Sequence, residues 1–138
     1  MRFLRALFVT IVVSVLVAAV AGPALAHHTP SITHQPPPAA KAGRGLHLAA
    51  AVEGCTIFCT PVTVRLHYRA PGGSTRTIYK SLGALPMQTA TFEVRSSHVV
   101  SPRFVYWLDA SQNYCWFDAC HGGADRAPDR GRFGIPTL

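Results

Sequence analysis

Lysine is almost missing from this chain. Lys41 and Lys80 are the only two, and every other basic residue is arginine. Acidic residues are also few, 6 against 13 Lys+Arg, for a formal net charge of +7. Charged residues make up only 14% and hydrophobic ones 49%, which excludes a highly charged disordered protein. At 138 residues the chain is too short for a multidomain enzyme. Its 11 Gly and 11 Pro are too many for a helical bundle and too few for a collagen. Enzymatic signatures are lacking: there is no G-x-S-x-G, no H-E-x-x-H and no phosphate loop. No basic run with interleaved aromatics is present, so no nucleic-acid partner is expected. The excess charge predicts only loose affinity for anionic cell-surface polymers. Asn113 is the sole asparagine and stands outside any glycosylation sequon. No cysteine precedes Cys55, which excludes a lipoprotein anchor.

What is there begins with a leader. Arg2 and Arg5 form a positive start, Leu7 to Ala21 is an almost unbroken apolar run, and Gly22-Pro23 breaks it ahead of Ala24-Leu25-Ala26. These are the three parts of a secretory signal peptide, so residues 1–26 are expected to be removed. An uncleaved anchor is the alternative, although the apolar run is short for a span. After cleavage no membrane-spanning segment is expected, and the product is secreted or attached to the cell envelope. Residues 27–45, HHTPSITHQPPPAAKAGRG, hold three consecutive prolines and little apolar content. That composition predicts a loose, disordered arm with local polyproline geometry.

From Leu46 the pattern has period two. Leu46, Leu48 and Ala50 alternate with His47 and Ala49. The same alternation runs through Val62–Tyr68, Ala90–Val94 and Phe104–Ala110. Thr75 to Leu82 is rich in β-formers and adds a further candidate. Breakers separate these runs: Pro71-Gly72-Gly73-Ser74, Gly83 to Pro86, and Ser101-Pro102. Strict alternation means strands with one buried face, and several short ones predict an all-β sandwich or barrel over 46–138. No stretch after residue 26 has helical spacing, and no repeat of fixed period occurs. His121 to Arg132 reads as loop, with Asp118, Asp125, Asp129 and His121 as a solvated cluster. Phe133-Gly134-Ile135 reads as a last strand or a loose C-terminal tail.

The runs Val62-Thr63-Val64-Arg65-Leu66-His67-Tyr68-Arg69, Thr89–Val94 and Phe104-Val105-Tyr106-Trp107-Leu108-Asp109-Ala110 are similar to strands of fibronectin type III-like and immunoglobulin-like modules of secreted bacterial proteins. The resemblance covers about Leu46 to Ala119. It implies a single antiparallel β-sandwich with a binding or spacing role and no activity. It also places Tyr106 where such modules often carry a tyrosine corner. The chain departs from the pattern in lacking a tryptophan in the second or third strand and in carrying cysteines at two turns.

Cys55, Cys59, Cys115 and Cys120 make an even set in a chain read as secreted, so disulfides are expected. A zinc site with His121 is the rival. Neither spacing is C-x2-C, and an oxidising compartment opposes thiolates. Chain alternation in a sandwich places the turn holding Cys55 and Cys59 at one end and the turn holding Cys115 and Cys120 at the other. A bridge needs Cα atoms within about 7 Å, so local pairs Cys55–Cys59 and Cys115–Cys120 are expected.

Candidate contact residues are aromatic. If Tyr106 and Leu108 point inward, Trp107 points out, and Tyr79 shares that face. Arg or Lys stems covering these rings is the alternative to their making contacts. Trp116 and Phe117 lie in a stapled loop. They either plug the end of the core or form a rigid tip, and plugging is favoured because exposing both costs transfer free energy. No cofactor is expected. The second functional reading is an extracytoplasmic copper protein, because a mature N-terminal His27, next to His28, offers an α-amine and an imidazole to Cu(II). His47 or His67 would have to supply the second imidazole. The leading reading is a secreted, non-enzymatic contact module with a cell-envelope or protein partner.

Overall fold

The computed structural model describes residues 29–83 and 85–138. The leader, its cleavage position, His27 and His28 lie outside these residues.

The alternating runs form strands that pack as two antiparallel sheets. One sheet has the order β1 (Ser31–Thr33), β2 (Leu46–Glu53), β5 (Met87–Val94). The other has the order β4 (Thr75–Leu82), β3 (Val62–Arg69), β6 (Arg103–Trp116), β7 (Ala119–Ala127), with β8 (Phe133–Pro136) also on β6. This is an immunoglobulin-like β-sandwich. Its core lies between the sheets: Leu48, Ala50, Val52, Phe92 and Val94 from one, Val62, Val64, Leu66, Phe104, Tyr106, Leu108 and Ala110 from the other. All are inward positions of the period-two pattern. In β2 the burial alternates strictly from Leu46 to Glu53, as a strand with one wet face requires.

β6 is the organising strand. Its 14 residues are longer than its neighbours and serve three of them. β3 runs along one edge. Along the other, Arg103–Tyr106 pairs with β8, and Leu108–Trp116 pairs with β7.

Three expectations need correction. The stretch 29–45 is not a loose arm. Ser31–Thr33 adds an edge strand to β2, and Ile32 and Ala40 enter the core. The Ile32 N–H donates to the Asp125 carboxylate at 2.8 Å. The Ala40 N–H reaches the Pro136 carbonyl at 2.9 Å, and the Leu138 N–H reaches the Ala40 carbonyl at 2.8 Å. The prolines lack N–H donors, so the strap leaves no donors orphaned there. Next, residues 121–127 are not loop but most of β7. Gly123 is required at the strand's inner side, because a Cβ there would meet the Thr29 backbone at 3.0 Å. Last, the C-terminal tail is not loose: Ile135 is buried on β8, and Thr137 bonds to Val100 and Pro102.

Candidate contact surfaces

The two cysteine pairs close locally, Cys55 with Cys59 and Cys115 with Cys120. They do not sit at opposite ends of the module. β2 and β6 are the first and fifth of five successive strands from Leu46, so they run the same way and their ends meet. The Phe58–Thr60 segment pairs beside the end of β6. The Cys115 N–H donates to the Phe58 carbonyl at 2.7 Å, and the Thr60 N–H to the Asn113 carbonyl at 2.8 Å. Behind them lies Gln112, a buried polar side chain at 4% exposure. Its Oε1 accepts from the Cys55 N–H at 2.9 Å, and its Nε2 donates to the Cys55 and Thr60 carbonyls, each at 2.8 Å. One amide thus ties the first stapled loop to β6. Gly54 leaves room for it, since a Cβ there would sit 2.8 Å from Val62 and 3.1 Å from Gln112 Oε1.

The result is one tip made of two stapled loops. Trp116 and Phe117 do not plug the core. They are 47% and 88% exposed, beside Ile57 at 67% and Phe58 at 56%. The end of the core is already closed by Val62 and Gln112, so the rings have no cavity to enter. They pack on each other instead. Phe58 meets Trp116 edge-to-face with centroids 4.6 Å apart, and Trp116 meets Phe117 at 5.1 Å. Phe58 and Phe117 both take left-handed backbone, at φ 58° and 53°. A bulky residue there is a backbone outlier that costs about 1–2 kcal/mol. Phe117 opens the two-residue turn between β6 and β7, a position that usually takes glycine. Sequence reasoning misses Ile57 and Phe58. The signal available is two apolar residues enclosed by Cys55 and Cys59.

Trp107 and Tyr79 do share the outer face of the larger sheet. Across this face the register aligns Tyr79, Arg65, Asp109 and Arg126 in one row, and Thr77, His67 and Trp107 in the next. Tyr79 is 66% exposed with the Arg65 guanidinium 5.9 Å from its ring centre. Trp107 is half-buried. Its ring stacks on His67 at 5.0 Å with an interplanar angle of 12°. Arg132 and Arg126 lie over it at 4.5 and 5.6 Å. The covered alternative therefore describes Trp107, and the open one describes Tyr79. His67 is fixed from both sides. Its Nε2 donates to the Asp109 carboxylate, so its Nδ1 in the neutral ring accepts from the Thr77 hydroxyl at 2.9 Å. Arg65 donates to the other oxygen of Asp109 at 2.7 Å. An open depression of about 350 Å³ flanks this row, lined by Asp109, Ala124, Asp125, Arg126 and Asp129.

Tyr106 does not make a tyrosine corner to backbone. Its hydroxyl donates to His34 Nε2 at 2.6 Å, while His34 Nδ1 donates to the Ala49 carbonyl at 2.7 Å. Burial pushes the Tyr106 hydroxyl far above its ordinary pKa. Burial also lowers the His34 pKa, against the opposing pull of the Ala49 carbonyl. Tyr68 is raised by burial too, with Arg76 and Arg95 opposing.

Among the described residues, no group of three or more His, Cys, Asp or Glu is placed to hold a metal ion. His47 and His67, the two histidines considered as partners for His27, lie on the outer faces of different sheets. No described helix is long and apolar enough to cross a membrane.

No protein-family model matches the chain, and no curated protein matches it in sequence. Solved structures do. AggA, the major subunit of aggregative adherence fimbriae type I from Escherichia coli, superposes with a TM-score of 0.51 at 12% identity, covering 81% of this chain and 100% of that one. The superoxide reductase (neelaredoxin) of Ignicoccus hospitalis superposes with a TM-score of 0.49 at 15% identity, over 80% and 81% of the two chains. The likeness to the fimbrial subunit is one of fold. It agrees with the immunoglobulin-like sandwich, and the two disulfides fit an oxidising, extracellular location.

Proposed function

We propose that this chain is a secreted, non-enzymatic contact module that engages a protein partner of the cell envelope through its paired stapled loops. Within the immunoglobulin-like class we read it as fibronectin type III-like. The reason is the place of β4, which pairs with β3 rather than extending the β1-β2-β5 sheet, whereas the immunoglobulin constant type puts its fourth strand on the other side.

The observation that carries the functional reading is the strained aromatic tip. Phe58 and Phe117 occupy left-handed backbone with their rings in solvent. Stability alone favours glycine at such positions and apolar rings inside. Strain held at an exposed, rigid loop points to recognition. Two disulfides and Gln112 hold the tip in place, which lowers the ordering cost of binding. Rigid aromatic anchors are the side chains that most often dominate an interface.

The test uses the secreted chain in a binding assay on envelope protein from the producing cell. Phe117→Gly should fold with at least wild-type stability and lose binding by more than tenfold, and Trp116→Ala should lose it similarly. Wild-type binding by a folded Phe58→Gly, Phe117→Gly protein would remove the tip as the contact surface.

A further inference from the structure

The outer faces of the two sheets carry opposite charge. On the smaller sheet the outward positions of β2 and β5 are His47, Ala49, Ala51 and Glu53 against Glu93, Thr91, Thr89 and Met87, with no lysine or arginine. On the larger sheet the outward positions bring together Arg65 and Arg69 from β3, Arg103 from β6, Arg126 from β7, and Arg132 over Trp107. Asp109 is the one carboxylate within that face, and Arg65 and His67 already occupy it. Asp129 stands at the margin, beside Arg126. The outward positions of the larger sheet are rich in arginine, and those of β2 and β5 hold none.

The geometry points to a binding face for an acidic glycan, a polymer bearing sulfate or carboxylate groups. Arginine suits this role because its planar fork can grip an oxyanion with two parallel N–H donors. Trp107 orders two of these forks. With Arg132 and Arg126 lying over the indole, cation–π contact restrains each guanidinium; Arg126 also donates from Nη2 to the Gly131 carbonyl, and its remaining N–H groups and those of Arg132 are the donors for a ligand. Tyr79, exposed beside Arg65, adds an apolar ring at the near end of the face. A nucleic acid fits less well. Single strands are held by free aromatic platforms, and the indole here is taken up by His67 and arginine. A second copy docking its Glu53 and Glu93 face is the other source of anionic charge.

The experiment compares binding to heparin, polygalacturonate, a DNA duplex and the protein itself, over a range of salt. The variant is Arg69→Gln, Arg126→Gln, Arg132→Gln. The control is Lys41→Gln, Arg44→Gln, Arg95→Gln, which removes equal charge elsewhere. The face variant should lose at least tenfold in affinity for one of the two glycans and show a shallower salt dependence, while the control loses less than threefold. Trp107→Leu, which keeps every charge, should weaken glycan binding severalfold if melts show it folded. Equal loss in both triple variants would mean that net charge alone acts, and would overturn the proposal. Tighter binding to duplex than to either glycan, through the same arginines, would replace the glycan by nucleic acid. Self-association abolished by Glu53→Gln, Glu93→Gln, without glycan binding, would replace it by a second copy. None of these results bears on the stapled tip, which this variant leaves intact.

Discussion

Phe117 and Gln112 separate what a single residue does for contact from what it does for folding. Phe117 is almost wholly in solvent and sits in left-handed backbone. Replacing it by glycine relieves that strain and removes no core packing. Phe117→Gly should therefore raise stability, by about 1 kcal/mol, in a urea melt. Gln112 is the opposite case. Gln112→Ala would strip the Cys55 N–H, the Cys55 carbonyl and the Thr60 carbonyl of this partner and leave space behind Val62. It should cost about 2–4 kcal/mol, from the backbone groups left unsatisfied. Neither role is legible in the sequence. A glutamine at an inward strand position looks like a break in the pattern, and its partners lie 52 and 57 residues away. The expectation that Trp116 is buried fails for a related reason. Transfer free energy argues for burial only where the core has room, and that end is closed.

At the scale of elements, alternation finds β2, β3, β5 and β6, because each has one face in the core and one in water. It fails for β1 and β7. β7 is lined by Gly122, Gly123, Asp125 and Arg126, with little to alternate, because its inner side receives the strap rather than the core. The strap has only Pro30, Ile32 and Ala40 as buried apolar anchors among its described residues, and its bonds go to residues far along the chain. His34 is its clasp, donating to Ala49 and accepting from Tyr106. Its pKa is lowered in the fold, so the folded state favours the neutral ring. The clasp's contribution is then full above the unfolded histidine value of about 6.5 and is lost as pH falls below it. Urea melts at stepped pH from 8 to 5 should show wild-type stability falling over the acid half of that range. The His34→Gln protein, starting lower, should follow a flatter curve. Parallel curves would remove His34 as the source.

At the scale of the whole molecule, the decisive quantity is strand parity. Counting Thr75–Leu82 as a full strand brings the ends of β2 and β6 to one pole; leaving it out sends them to opposite poles. The local cysteine pairing is the same either way, so pairing alone does not reveal the tip. Each bridge closes a short ring, with sequence separations of 4 and 5, so each constrains the unfolded chain by about 2 kcal/mol. In two independent loops those contributions would add. Here the loops share the Cys115–Phe58 and Thr60–Asn113 hydrogen bonds and the Phe58–Trp116 contact. Removing either bridge should loosen both loops, so that removing the second costs less than it does alone. A double-mutant cycle with Cys55→Ser, Cys59→Ser and Cys115→Ser, Cys120→Ser measures this. The two penalties should fall short of additivity by more than about 0.5 kcal/mol, the scatter seen for sites without shared partners. Either pair alone should also lower envelope binding, although Phe117 and Phe58 remain. Additive penalties, with binding lost in only one pair, would split the tip into two separate loops and leave recognition to whichever loop binding follows.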